Sequence, residues 1–120
     1  MYKRYIVELG TGVDLHGIDV NKAAKKAVND AVSHGCLCGL VEILSITDTN
    51  KSIKIDVLIA SPYPERIDTE EIKREIPFGK VNIEVKNGGL EVKGVSEESF
   101  GPGDKIVMVN ASLTVNVDVD

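Results

Sequence analysis

The sequence has no tryptophan, and aromatic residues make up only 4% of it, so a platform for stacking bases is missing. Positive charge is also short. Fourteen Lys and Arg against 19 Asp and Glu leave a net charge of -5, the wrong sign for following a phosphate backbone. Nucleic acid is therefore not an expected partner. Cysteine is limited to Cys36 and Cys38, too close together for an ordinary structural disulfide and suited to a reducing compartment. The longest apolar run falls far short of the roughly 20 residues that a membrane helix needs. Met1-Tyr2-Lys3-Arg4 leads straight into a strand-like run without a secretory pattern. The expectation is a cytoplasmic protein with no membrane contact. Low-complexity runs and internal repeats are missing too, and the four prolines and eleven glycines punctuate periodic segments.

What is present suits one α+β domain spanning residues 1–120, with 42% hydrophobic content to fill a core. Tyr5-Ile6-Val7-Glu8-Leu9 reads as a strand stopped by Gly10. From Asp19 the period changes: Val20, Ala23, Ala24, Ala27, Val28, Ala31 and Val32 form one apolar stripe of a helix, with Gly35 as its left-handed stop. Because the stripe is mostly alanine, the helix can approach a sheet closely. Leu40 to Thr47 and Ser52 to Ser61 read as strands of a hairpin turning at Asp48-Thr49-Asn50-Lys51.

A short helix should begin near Asp68 or Thr69 and end by Pro77. Val81 to Val85 is a strand, Asn87-Gly88-Gly89 a turn, and Leu90 with Val92 a returning strand. A loop follows from Ser96 to Gly103. The last segment alternates, Val107, Val109, Ala111, Leu113, Val115, Val117 and Val119 against Met108, Asn110, Ser112, Thr114, Asn116 and Asp118. Its small polar face indicates a sheet covered by helices on one side, the other meeting water, a ligand or another subunit. The expected order is β-α-β-β-α-β-β-β, a two-layer sandwich on a mixed or antiparallel sheet.

Chemistry concentrates in GTGVDLHG, Gly10 to Gly17. With Gly10 and Gly12 after a strand and Gly17 before a helix, a loop there could turn several N–H groups, including that of Thr11, toward one anion. It is neither a dinucleotide fingerprint, since Leu15 stands where the third glycine belongs, nor a Walker loop. Asp14, His16 and Asp19 fall within six residues and leave three roles open. Asp14 and His16 could ligate a metal, with Asp19 or another residue completing the shell. Asp14 could orient His16 for acid–base catalysis. Or Asp19 caps the helix while His16 bonds loop carbonyls.

The run GTGVDLHG, followed by Ile18-Asp19-Val20-Asn21-Lys22-Ala23-Ala24, resembles the GxGxDxHG signature of the Lin-type family of conserved hypothetical proteins. The likeness extends into the alanine-rich helix, the Gly88-Gly89-Leu90 turn and Val109-Asn110-Ala111. Gly10, Gly12, Asp14, His16 and Gly17 are the matching positions. The resemblance implies a ligand site but names no reaction.

Other groups are weaker signals. His34, Cys36 and Cys38 could attract a soft metal but lack paired zinc spacing. Glu97, Glu98 and Asp104 lack the order of a calcium loop, and Tyr63 with Arg66 could line a pocket. The architecture is similar to the chorismate-mutase-like and tubulin carboxy-terminal-like groups, which assemble through sheet faces or edges, so a homo-oligomer is expected. The functional expectation is an anionic small-molecule site with Asp14 and His16 as acid–base residues and Gly10, Thr11, Gly12, Gly17 and Asp19 as binding residues. The alternative is a non-catalytic oligomeric module that binds a ligand or metal. No particular cofactor is indicated.

Overall fold

The C-terminal alternation becomes the strand around which the rest is arranged. In the computed structural model, which describes residues 1–95 and 103–119, this strand, β5 (Lys105–Asp118), pairs antiparallel with β1 (Tyr2–Asp14) on one edge and β2 (Ile53–Ser61) on the other. β3 (Lys80–Asn87) lies outside β2 and parallel to it. β4 (Leu90–Lys93) pairs antiparallel with the first residues of β5. The result is an α+β architecture on an open mixed sheet of five described strands with helices on one side, as expected.

The core lies between sheet and helices. Ile53, Ile55, Val57 and Ile59 alternate inward beside Val107 to Val117 of β5 and meet the buried stripe of α1 (Val20–Ser33). Period two on the strands and period 3.6 on the helix bring both apolar faces into this layer. Along the flank of α1, Asn21 accepts from the Asp68 backbone N–H (2.7 Å) and donates to the Arg66 carbonyl (2.9 Å). Lys25 pairs with Glu71. These contacts dock α4 (Thr69–Lys73), whose first N–H groups at Glu70 and Glu71 are capped by Asp68.

Four local expectations are corrected. The first strand does not stop at Gly10 but runs through Thr11 and Gly12 to Asp14, pairing Gly10 with Ala111 and Gly12 with Val109. Leu40 to Thr47 forms no strand and no hairpin. It holds the end of α2 (Cys38–Glu42) and a loop, followed by the single turn α3 (Thr49–Ser52). Its run of apolar residues has no period to choose between the two structures; Leu40 is buried and Ile46 packs against the core, while Val41 and Ile43 stay exposed. Gly35 is not a left-handed stop, because α1 ends on His34 in right-handed geometry and Gly35 has no positive φ.

The fourth concerns Asn87-Gly88-Gly89. β4 does not return along β3. It runs in the same direction, shifted sideways into the place beside β5 that β2 vacates when Pro62 ends it. Gly88 N–H bonds the Ser61 carbonyl at 3.0 Å, and Gly89 (φ 70°) lies so close to Met108 that a Cβ would stand 2.2 Å from its carbonyl oxygen. Most of the loop from Ser96 to Gly103, with Glu97 and Glu98, lies outside the described residues.

Candidate functional site

The glycines of GTGVDLHG serve an interface. Gly10 and Gly12 face α1, and a Cβ on either would stand 2.1 Å from the Ala27 carbonyl oxygen or 2.0 Å from that of Ala23. Neither has the positive φ that calls for glycine in a turn. The missing side chains let the alanine face of α1 rest directly on the backbone of β1, one of the known uses of glycine within a strand.

The backbone donors of this segment are also engaged. Thr11 N–H donates to Asp30 Oδ2 at 2.9 Å, and Lys26 Nζ donates to the Val13 carbonyl at 3.1 Å. Two side chains of α1 thus reach around the outer edge of β1, covering groups that an edge strand otherwise leaves open to another chain. Because Thr11 points its amide outward, the alternation of the strand turns those of Gly10 and Gly12 toward β5. The expected cradle in which Gly10, Thr11 and Gly12 join Gly17 around an anion is therefore not formed.

Asp14, Gly17 and Asp19 do come together at the start of α1. Asp14 is 7% exposed. Its Oδ2 accepts from the Asp19 N–H at 3.2 Å, and its Oδ1 lies 3.7 Å from Lys22 Nζ. Asp19 in turn caps α1 by accepting from the Lys22 N–H at 3.1 Å. Two carboxylates at the positive end of a fourteen-residue helix are electrostatically well placed, but they make this corner better suited to a cation than to an anion. His16 is half-buried with Nδ1 shielded from solvent, and its carbonyl packs against Gly103 (φ 92°), where a Cβ would stand 2.7 Å away. Among the described residues, no three His, Cys, Asp or Glu are placed to hold a metal ion. Cys36 and Cys38 are exposed free thiols, and His34 Nε2 turns to Asp30 at 3.1 Å.

Tyr63 and Arg66 also come together, the guanidinium lying 4.5 Å from the ring centroid. The Tyr63 hydroxyl donates to Glu91, which holds the phenol above its ordinary pKa near 10, with burial adding to the effect. The partner Glu91 escaped the sequence reading because the sideways step of β4 brings it there. The Lys25 ammonium is likewise held above its ordinary value, chiefly by its bond to Glu71.

The open side of the sheet, expected from the polar face of β5, carries a groove that no single segment announces. Leu9, Thr11, Leu58, Ala60, Asn110 and Ser112 line a broad groove of about 460 Å³ there, bounded at the outer edge of β1 by Asp30 of α1. The polar alternation of β5 signalled the open face. The extension of β1 through Thr11 supplies its apolar rim, with Leu9 67% exposed.

Comparison with known proteins agrees with this architecture. A solved structure described as an FtsZ-like protein of unknown function from Nostoc punctiforme PCC 73102 is 34% identical, covers 98% of both chains and superposes with a TM-score of 0.89. No curated protein matches. Residues 4–115 match the family model for the conserved hypothetical proteins termed Lin0512_fam, and the chain belongs to that family.

Proposed function

We propose that the protein is a non-catalytic binding module that works as a homo-oligomer, a second copy covering the open sheet face. The observation that carries this reading is the uncovered face itself, where the exposed Leu9 stands beside Leu58 and Ala60 over the groove. A monomer seldom leaves such a surface without a use. The 56 × 24 Å outline of the molecule has room for the ~800 Å² per partner of a standard interface. The face carries both signs of charge, which a two-fold contact can pair: Lys54, Lys80 and Lys86 share its far side with Asp56 and Glu84. The related Nostoc punctiforme protein is described as FtsZ-like, in keeping with the expected similarity to a tubulin carboxy-terminal-like fold. Two exposed, unbridged thiols suit a reducing, cytoplasmic setting.

Light scattering during gel filtration tests it. The 13.0 kDa chain should elute at a multiple of its mass, and Leu9→Lys with Leu58→Glu should return it to monomer with an unchanged circular dichroism spectrum. A wild-type monomer at micromolar concentration refutes the proposal.

A second reading keeps Asp14, His16, Gly17 and Asp19 as a small-ligand corner, with His16 moving a proton and Asp14 orienting it. It is favoured by the near-complete burial of a carboxylate two residues from an imidazole, beside a lysine at 3.7 Å. Addition of phosphate, acetate or zinc should then shift the amide resonances of Gly17 to Val20, and His16→Ala should abolish the shift while leaving the fold intact. No shift with any of the three, or an undiminished shift in the variant, counts against this reading. Zinc alone acting would select its metal-binding form.

A further inference from the structure

The helix layer leaves a gap where α1 ends, and we infer that this gap is a binding site for a small organic cation, an ammonium group carrying a short apolar tail. The cavity measures about 120 Å³ and lies between the last turn of α1 and the segment after α4. Val32, Ile55, Phe78, Leu113 and Val115 supply its apolar walls. Apolar cavities near 150 Å³ take up small hydrocarbons, so the space suits a tail of about four carbons.

One lining residue breaks the apolar pattern. Glu8 occupies an inward-facing position of β1, opposite Leu113, where the alternation calls for a hydrophobic side chain. Its carboxylate lies at the rim beside Gly35, 3.8 Å from where a Cβ would stand. Among the described residues no lysine, arginine or histidine pairs with it. The rim is negative for a second, independent reason. Val32 and Gly35 bring the C-terminal end of α1 to the cavity, the last carbonyls of a helix lack intrahelical donors, and the last turn of α1 contains no basic residue. Carboxylate and helix dipole thus attract the same sign of charge. A carboxylate left at the edge of an apolar hollow discriminates by charge, while the hollow discriminates by length.

The whole protein titrated with n-butylammonium chloride should show saturable shifts in the amide resonances of Val32, Gly35 and Val115. 1-Butanol, with a tail of the same length and no charge, should bind at least tenfold more weakly. Glu8→Gln should remove that difference, and Val32→Phe, which fills the hollow, should abolish binding of both. Absence of saturable shifts, equal affinity of the wild type for the two probes, unchanged ammonium affinity in Glu8→Gln, or undiminished binding in Val32→Phe would each overturn the assignment. None of these outcomes depends on the oligomeric state.

Discussion

Substituting Gly12 by alanine separates two explanations of the glycine-rich segment. Were its glycines needed only for loop freedom, alanine in an extended strand would be neutral, or would stabilise by about 0.4–1 kcal/mol through a less flexible unfolded chain. The structure requires the opposite sign. The new methyl would stand 2.0 Å from the Ala23 carbonyl oxygen and 2.6 Å from the Ala27 nitrogen, where real contacts begin above 3.0 Å. Both obstacles are helix backbone, which cannot rotate aside. Relief requires α1 to retreat by roughly an ångström, loosening the packing of Val20, Ala23, Ala24, Ala27, Val28 and Ala31 against the sheet.

Overpacking of this kind costs about 1–3 kcal/mol, and the rigid obstacle places Gly12→Ala at the upper end. With a urea slope of about 2 kcal/mol/M for a small domain, the unfolding midpoint should fall by roughly 1.5 M. Gly10→Ala, facing the Ala27 carbonyl oxygen at 2.1 Å, should behave alike. Gly35→Ala is the control, its Cβ meeting nothing nearer than the Glu8 carboxylate at 3.8 Å. Urea titrations followed by circular dichroism would measure all three. Midpoints for Gly10→Ala and Gly12→Ala at or above that of Gly35→Ala would refute the packing role.

Asp14→Asn should lower stability by about 1 kcal/mol, since the charge beside Lys22 and the start of α1 is lost while an amide oxygen can still accept from Asp19; thermal denaturation would show it. Gly89→Ala forces an L-residue to φ 70° and a methyl onto the Met108 carbonyl. A loss above about 2 kcal/mol in urea unfolding is expected. Tyr63 should ionise above the ordinary tyrosine pKa. The stability arising from its raised pKa is complete below pH 10 and lost as pH rises through the higher folded value. Glu91→Gln should bring this ionisation back toward 10, seen as earlier tyrosinate absorbance in an alkaline titration.

Elements whose signals are local are legible in the chain before it folds. Asp19 and the stripe from Val20 to Ala31 specify where α1 begins and which side it buries, because a cap and a 3.6-residue period act within the segment. Asp68 specifies the start of α4 in the same way, and the two-residue alternation specifies β5 and its inner face. Glu8 could also have been noticed, as a charge on the inward alternation of its strand.

What those elements do depends on contacts between segments far apart in the chain. A glycine announces only that no side chain is present, and whether a turn or a close approach uses that space at Gly10 and Gly12 depends on α1, a later segment of the chain. The apolar run after Cys38 has no period that separates helix from strand, and its conformation follows from contacts with the core, made by Leu40 and Ile46. Likewise, Gly88-Gly89 would suit a hairpin, but the free edge of β5 beyond Ser61 draws β4 sideways and completes hydrogen bonds that a hairpin would have left open.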